Sequence, residues 1–284
     1  MSVRLAILAP GLLGGSVARA AHHFGAAEHI TLWARRAETR VALRKQAWCH
    51  AVADSPTDAV QEANLVVVGT PVDHIVPLIE IIAPALGSAA VVTDVGSVKA
   101  EICRRATAAL AGRAHFVGSH PMAGSERTGY EHAQVDLFVR RTVFITPLAE
   151  TNAGAAEKVA AFWSALEADV ATVTPDQHDE IVAHISHLPQ VLASSLCAML
   201  GRRETGWRNF AGNGLRDTTR IAASDPPLWR TILEQNRDEV LTALRAYQEE
   251  LHGFERALAN RDWFEVQAIL ERGRAYREQM RPGA

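Results

Sequence analysis

The sequence of 284 residues lacks the features that identify several large classes of protein. Its three cysteines, Cys49, Cys103 and Cys197, are odd in number and scattered, which excludes a disulfide framework and a zinc site. Lys and Arg total 29 against 32 Asp and Glu, so the net charge of −3 gives no reason to expect nucleic acid or an acidic membrane as partner. No apolar run approaches the roughly 20 residues of a membrane-spanning helix, and no repeat or low-complexity tract is present. These absences leave a soluble globular protein, which we expect to work in the reducing cytoplasm on a small molecule.

The first half of the chain alternates short apolar runs, rich in β-branched residues, with amphipathic helical segments. The runs predict strands at 4–9, 30–34, 65–70, 90–95, 115–119 and 142–147, with helices between them such as 37–48 and 98–111. Apolar runs of four to six residues separated by helices are typical of a parallel sheet that is covered on both faces. We therefore predict an α/β, Rossmann-type doubly wound domain over residues 1–173, with ligands at the carboxyl ends of its strands.

Strand patterns stop near residue 173, and the remainder of the chain has helical spacing. Thr174 is the predicted N-cap of the next helix, Pro175 takes its first position and Gln177 completes a capping box. Pro189 inside this helix is expected to remove a hydrogen bond and kink the axis. Residues 174–284 therefore form an all-helical domain, which we expect to pack tightly on the first because no linker rich in Gly, Ser or Pro separates them. Its later helices are predicted at about 228–257 and 261–280.

A glycine-rich stretch near the amino terminus, LAILAPGLLGGSVARA, has the form of a nucleotide-binding loop between a strand and a helix. Gly11 lets the backbone approach a pyrophosphate and Gly14 permits close contact of helix and strand, while the helix start at Leu12 and Leu13 supplies N–H donors. Ala9 stands where the first glycine is usual, and a tight turn tolerates alanine there if its φ is negative. The stretch also resembles a secretion signal, but a cleaved segment would not be continued by a matching series of strands and helices.

The position that selects between the two nicotinamide cofactors lies at the end of the second predicted strand, in LWARR. An acidic residue there accepts hydrogen bonds from the ribose of NAD, and this sequence has Ala34 instead. Because Arg35 and Arg36 follow, the site suits the 2′-phosphate of NADP, and we expect NADP in preference to NAD. The alternative is that the two arginines simply open a solvated helix.

Four further stretches place polar residues where core packing does not explain them. They are TDVGSVK with Ser97, GSHPMAGSE with His120 and Glu126, HISHLPQ with His184 and His187, and GLRDTTRIAASDPPLW with Arg220 and Trp229. Each residue alone also fits an ordinary role, such as a loop histidine, a helix cap or a surface ion pair. No cysteine or acidic residue stands at a supporting spacing beside the two helical histidines, so we expect no metal site.

Taken together in this order, the motifs resemble the prephenate/arogenate dehydrogenase family of tyrosine biosynthesis. The resemblance runs from about residue 5 to about 245 and includes GLLGGS, VVGTPVD, DVGSVK, SHPMAGSE, SHLPQ and TTRIAASDPPLW, of which SHPMAGSE and TRIAASDPPLW are highly specific. It implies oxidative decarboxylation of prephenate or arogenate with NAD(P)+, in a homodimer built by the helical domain.

The resemblance also implies a role for each matching residue. His120 is the catalytic histidine and Ser97 its orienting partner, His187 and Arg220 bind the substrate, and Glu126 and Trp229 lie at the pocket entrance. In VVGTPVD, the matching positions Thr70 and Pro71 are expected to contact the cofactor.

Three alternatives remain at this point. Prephenate carries a keto group where arogenate has an amino group, and SHLPQ offers no acidic partner for an ammonium, so we favour prephenate. A non-catalytic NADP-binding sensor would have no need of His120, Ser97 and Arg220. A β-hydroxyacid or imino-acid reductase would be expected to carry a catalytic lysine on the first helix of the second domain, and DQHDEIVAHISH has none.

Overall fold

The computed structural model describes residues 2–124, 127, 129–203 and 205–280. Its main sheet has six parallel strands in the order β3-β2-β1-β4-β5-β6. The strands are β1 (Arg4–Leu8), β2 (His29–Trp33), β3 (Ala51–Val52), β4 (Leu65–Val68), β5 (Val91–Asp94) and β6 (His115–Phe116). This order confirms the predicted doubly wound sheet, and it reverses direction between β1 and β4, where such folds bind their ligands.

Helices cover both faces of this sheet, since the central strands are apolar on both sides. Their bounds are α1 (Leu12–His23), α2 (Ala37–Leu43), α3 (Pro56–Val60), α4 (Val72–Ile82), α5 (Ala100–Leu110) and α6 (Ala153–Ala165). Side chains of α1 and α6, such as Val17 and Trp163, pack with Ile7 on one face. Those of α3, α4 and α5, such as Ile79, pack with Leu8 on the other. The continuous apolar runs of β1 and β4 follow from this double burial.

A second sheet, absent from the prediction, contains β7 (Gly118–Pro121), β8 (Thr142–Thr146) and β9 (Asp169–Thr172). The predicted strand 115–119 is therefore wrong as one unit, because the chain leaves the first sheet after β6 and pairs antiparallel with β8 as β7. The crossing is tight: a Cβ at Gly118 would collide with the side chains of Thr146 and Cys103. As a consequence, His120 lies within a strand and not in the loop after one.

The helical half begins with α7 (Pro175–Val182), and its predicted capping box is present between Thr174 and Gln177. A π-helical turn, Ala183–His187, follows, and α8 (Leu188–Leu200) continues the same helix. The helix is thus wound more loosely just before Pro189, which accommodates the proline ring without ending the helix. By length and composition alone, Pro175–Leu200 passes a hydropathy test for a membrane span, with a mean hydropathy of 1.3. This helix carries buried polar residues, among them His178, Asp179 and His187, that are described below.

The remaining helices are α9 (Asn213–Thr219), α10 (Pro226–Gln235), α11 (Arg237–Ala259) and α12 (Trp263–Gln279). The helix predicted at 228–257 is therefore two helices that meet at Asn236, whose φ of −112° and ψ of 29° are not helical. Helix α10 packs on α4, and its buried Ile232 belongs to the core of the first domain. Helix α7 contacts α5 and β8. The two halves therefore share a packed interface along the carboxyl ends of the strands.

Candidate active site

The turn before α1 is closed by a strained alanine. Ala9 has a φ of +62°, not the negative value at which a tight turn tolerates alanine, and the residue occupies the left-handed region that glycine favours. The turn is also crowded from outside: a Cβ at Gly69 would lie 2.8 Å from the Ala9 carbonyl oxygen. A Cβ at Gly14 would lie 3.2 Å from that oxygen and 3.2 Å from Ile7 Cγ2, which is the close contact of helix and strand expected there.

The amino terminus of α1 offers a site of the kind that binds a dinucleotide. A Cβ built at its N-cap, Gly11, would meet no other atom within 4 Å, and no side chain caps the helix. The first backbone N–H groups, including those of Leu12 and Leu13, have no partner within the helix and face this open space with the positive end of the helix dipole. Beside it, at the end of β4, Thr70 Oγ1 is buried with no hydrogen-bond partner in the described part of the chain. Pro71 then caps α4.

The end of β2 carries positive charge and no acid. Ala34 is buried, and the side chains of Arg35 and Arg36 are exposed. In the ranges that the structure describes, neither guanidinium forms an ion pair. Arg40 holds the turn by donating from Nη1 to the carbonyl oxygens of Ala34 and Arg35, at 2.9 and 3.0 Å. Two exposed guanidinium groups at this position could bind an anionic group of a ligand.

His120 is the first member of a buried chain of side chains that crosses the domain interface. Its Nδ1 lies 2.8 Å from His178 Nε2, and His178 Nδ1 lies 2.7 Å from Asp179 Oδ1. His120 is 7% exposed and His178 is fully buried, with its ring edge-on to Phe144. Burial, followed by the nearby charges of His178, Lys99 and His187, lowers the pKa of His120 well below its usual value. His120 is therefore a neutral imidazole, able to accept a proton.

Asp179 anchors this chain from the far side. Its Oδ1 accepts a hydrogen bond from the Lys99 backbone N–H at 2.8 Å, and its Oδ2 accepts one from Ala100 at 2.8 Å, at the start of α5. Lys99 itself is completely buried and pairs with Asp94 at 2.5 Å. Sequence patterns do not reveal these contacts. Asp94 and Lys99 stand in DVGSVK, but nothing in that motif shows that they pair. His178 and Asp179 follow the capping box at the start of α7, where local rules already explain polar residues.

His187 lies at the end of the π-helical turn, fully buried. Asn236 Nδ2 donates to the Asp179 carbonyl oxygen at 2.8 Å and lies 3.1 Å from His187 Nδ1. Because that amide nitrogen is a donor, His187 Nδ1 accepts, and the proton of the neutral ring is on Nε2. Burial lowers the pKa of His187 to about 4, so the ring stays neutral at physiological pH. Its Nε2 is buried with no partner in the described residues, and it is therefore an N–H donor available to a ligand.

The remaining predicted site residues are Trp229, Ser97, Arg220 and Glu126. Trp229 packs edge-on against His187, with ring centroids 5.9 Å apart. Ser97 is half-buried at the end of β5, but the hydrogen-bond partner that the structure gives to His120 is His178. Arg220 is exposed in the 3-10 turn Arg220–Ala223, which packs against α8. Glu126 lies outside the described residues.

Most of the chain matches families of known proteins. Residues 17–172 match the family model described as "Prephenate dehydrogenase, nucleotide-binding domain", and residues 174–272 match "Prephenate dehydrogenase, dimerization domain". A prephenate dehydrogenase of Bacillus subtilis is 34% identical over 81% of this chain, which spans only 63% of that protein. A cyclohexadienyl dehydrogenase of Zymomonas mobilis is 32% identical over 91% of this chain and 89% of that protein.

Solved structures agree in fold over nearly the full length. The prephenate dehydrogenase of Aquifex aeolicus, in complex with hydroxyphenyl propionate and NAD+, has a TM-score of 0.91 at 26% identity and covers 98% of this chain and 99% of its own. The arogenate dehydrogenase of Synechocystis has a TM-score of 0.86 at 27% identity and covers 97% of this chain and 99% of its own.

Proposed function

This chain belongs to the prephenate dehydrogenase family, and from that premise we propose that it catalyses the oxidative decarboxylation of prephenate to 4-hydroxyphenylpyruvate in tyrosine biosynthesis. The observation that carries the proposal is the neutral, buried His120, hydrogen-bonded through Nδ1 to His178. A sensor that only bound the cofactor would have no use for such a base.

The chemistry requires one group that takes a proton and gives it back. A nicotinamide held at the start of α1 would supply the acceptor for the hydride that leaves the ring carbon carrying the hydroxyl. As that carbon becomes a carbonyl carbon, His120 takes the hydroxyl proton. The ring carboxylate then leaves as CO2, its electron pair makes the ring aromatic, and the oxygen, now a phenolate, takes the proton back. The reaction therefore releases no net proton, and His120 needs only to hold one between the two steps.

The substrate is held by groups that do not take part in bond breaking. We assign the side-chain carboxylate to Arg220, whose guanidinium offers a bidentate fork, and to the Nε2–H of His187. Trp229 packs edge-on against His187, and Trp229 and Glu126 are proposed at the pocket entrance from the family resemblance. Ser97, three residues after the end of β5, is proposed from the family resemblance as a residue that orients His120.

NADP is the proposed cofactor. The free N–H groups at the start of α1 and Thr70 would hold the pyrophosphate and the nicotinamide half, and Arg35 and Arg36 would hold the 2′-phosphate. Ala34 supports this choice, because no carboxylate is present at that position to accept hydrogen bonds from the ribose of NAD.

Arogenate is the second candidate substrate. Gln190, one helical turn after His187, keeps a buried side-chain carbonyl oxygen without a partner in the described residues. A carbonyl oxygen can accept from the ammonium group of arogenate, which the Nε2–H of His187 cannot. We retain prephenate as the main proposal because SHLPQ offers no acidic partner for an ammonium group.

We also propose that the protein acts in the cytoplasm as a homodimer formed by the helical domain. The second half matches a model described as a dimerization domain, and large apolar side chains on α11 and α12 are exposed, among them Leu251, Leu258, Trp263, Phe264 and Leu270. Light scattering on a gel-filtration column tests the dimer: a mass near 31 kDa, that of one chain, would contradict it.

The deciding experiment mixes the purified protein with prephenate or arogenate and with NAD+ or NADP+, and follows the absorbance of the reduced nicotinamide. We expect the highest rate with prephenate and NADP+. His120→Asn should lower kcat by roughly 10²-fold or more, as loss of a general base does, whereas His132→Asn, at an exposed position, should not. Absence of turnover in all four mixtures would favour a sensor.

A further inference from the structure

We propose that His178 and Asp179 set the protonation of His120: they fix the tautomer in which Nε2 is free to accept a proton, and the carboxylate balances the charge that His120 then gains. The inference rests on the proposed function, since it concerns the base of that reaction. Both are positioning residues, because they act through His120.

The argument begins at Asp179, where the direction of the hydrogen bonds cannot be reversed. Its two oxygens face the backbone N–H groups of Lys99 and Ala100, each at 2.8 Å, and a backbone N–H can only donate. Oδ1 also lies 2.7 Å from His178 Nδ1. A carboxylate that accepts on both oxygens makes His178 Nδ1 a donor.

The remaining bonds follow in sequence. Burial lowers the pKa of His178, so the ring is neutral, and with its proton on Nδ1 its Nε2 has a lone pair. That nitrogen lies 2.8 Å from His120 Nδ1, which must therefore donate. The neutral His120 then carries its proton on Nδ1 and a lone pair on Nε2. The base is thus formed before any substrate arrives.

The charged groups around His120, His178 and Asp179 favour the addition of one proton. Lys99 and Asp94 neutralise each other as a fully buried pair. The other groups that face His120 and His178 are His187, which is neutral, and Asp179, whose negative charge is offset only in part by the N–H groups of α5. The buried cluster therefore has a net charge of −1 at rest and of zero when His120 holds the proton. A buried imidazolium would otherwise be costly.

The variant Asp179→Asn distinguishes control of His120 protonation from a purely structural role of Asp179. The variant keeps the shape of the side chain but replaces one of two acceptors with a donor. The amide nitrogen meets fewer donors at Oδ2 than at Oδ1, so the amide oxygen stays at Oδ1, where it accepts from Lys99 and His178. The tautomer of His120 is therefore kept, and the negative charge of the chain is lost. Asp176→Asn is the matched control, since it makes the same change one turn earlier in α7, at an exposed residue paired with Arg104.

We expect Asp179→Asn to lower kcat about 10²-fold while KM for substrate and cofactor changes less than about threefold, which a general loss of structure would not do. Asp176→Asn should match the unmodified protein. Nitrogen-15 spectra of the histidine-labelled protein without substrate give a second readout, in which His120 should be protonated on Nδ1 in the unmodified protein, in Asp176→Asn and in Asp179→Asn.

His178→Gln provides the test if Asp179→Asn does not fold. A glutamine amide oxygen can take the place of Nε2 and accept from His120 without contacting Asp179, so the tautomer is kept and the hydrogen-bonded link from His120 to Asp179 is lost. We expect kcat to fall about 10²-fold, a loss of the size seen when one group supporting a general base is removed. His184→Gln, at an exposed position of the same helix, is the control.

Two results would overturn the inference. One is His120 protonated on Nε2 in the unmodified protein, and the other is a kcat in His178→Gln and Asp179→Asn within about threefold of their controls. If the spectra show the expected tautomers but no mixture of substrate and cofactor turns over, the proposed function fails and the assignment of the tautomer stands.

Discussion

The Lys99 ammonium group lies 2.5 Å from Asp94 Oδ2, and both side chains are completely buried. The ammonium also donates to the Val98 carbonyl oxygen, and Asp94 accepts from the backbone of Gly96 and Ser119. This pair fixes the end of β5 against β7, the strand that carries His120. The position of the base therefore depends on a charge pair that contacts no ligand.

Lys99→Met should lower the free energy of unfolding by about 3–5 kcal/mol, because it leaves the Asp94 carboxylate buried without its counter-charge. Arg104→Met removes one partner of the exposed pair with Asp176 and should cost no more than about 1 kcal/mol. Urea denaturation of the two variants measures the difference. Equal losses would show that the buried pair has no special role in stability.

Ala9→Gly should raise the free energy of unfolding by about 0.5–1 kcal/mol. The left-handed φ of +62° costs alanine about 1–2 kcal/mol, and this gain exceeds the extra chain entropy of glycine. Ala108→Gly, in the exposed interior of α5, should instead lower stability by about 1 kcal/mol. Thermal unfolding compares them, and a loss of stability in Ala9→Gly would contradict the strain assigned to this turn.

The strands and the capping box could be predicted because local rules decide them. The apolar runs of β1, β4 and β5 reflect burial on both faces, and the sequence of Thr174 to Gln177 specifies its own helix start. The break at Gly118 could not be predicted, because it depends on the side chains of Thr146 and Cys103 from other elements.

The residues of the site likewise divide into those that sequence motifs reveal and those that they do not. His120 and His187 were visible in motifs, but their partners were not, since His178, Asp179 and Asn236 all fit an ordinary amphipathic helix. Asn236 interrupts a continuous helical pattern, and its side-chain amide donates to the Asp179 carbonyl oxygen and to His187 Nδ1. Only the folded chain shows why an asparagine is needed there.

Stability should fall as the pH falls from about 6.5 to about 4, because His187 is buried in its neutral form. Its folded-state pKa of about 4 lies below the unfolded value of 6.5, so the unfolded chain binds the proton first. The stabilisation is fully present above pH 6.5, and its loss on acidification is on the order of 3 kcal/mol. Burial lowers the pKa values of His120 and His178 in the same direction.

His187→Asn isolates this term, since the Asn oxygen can accept from Asn236 as Nδ1 does. Melting temperatures between pH 4.5 and 8 should vary less in this variant than in the unmodified protein. His184→Asn, at an exposed position of the same turn, should keep the full dependence. If the curves of His187→Asn and His184→Asn coincide, burial of a neutral His187 is wrong.

Replacing Arg35 and Arg36 together by Ala should raise KM for NADP+ by about 10- to 100-fold, the loss of one or two charge-assisted bonds to phosphate. KM for NAD+ should change little, because NAD+ has no 2′-phosphate. Arg44→Ala is the control, since Arg44 also lies by α2 but pairs with Asp54. Steady-state kinetics with both cofactors measure the ratio, and an equal rise for NAD+ would place these arginines outside the ribose site.

Arg220→Ala should raise KM for prephenate far more than it lowers kcat. A guanidinium on the remote carboxylate binds the substrate and the transition state almost equally, and removal of such uniform binding appears in KM. A charge-assisted bond of about 1.5–3 kcal/mol corresponds to a rise of roughly 10- to 150-fold. Arg230→Ala, an exposed arginine on α10, is the control. A fall in kcat with KM unchanged would instead place Arg220 at the reacting carbon, where its charge would oppose formation of the imidazolium on His120.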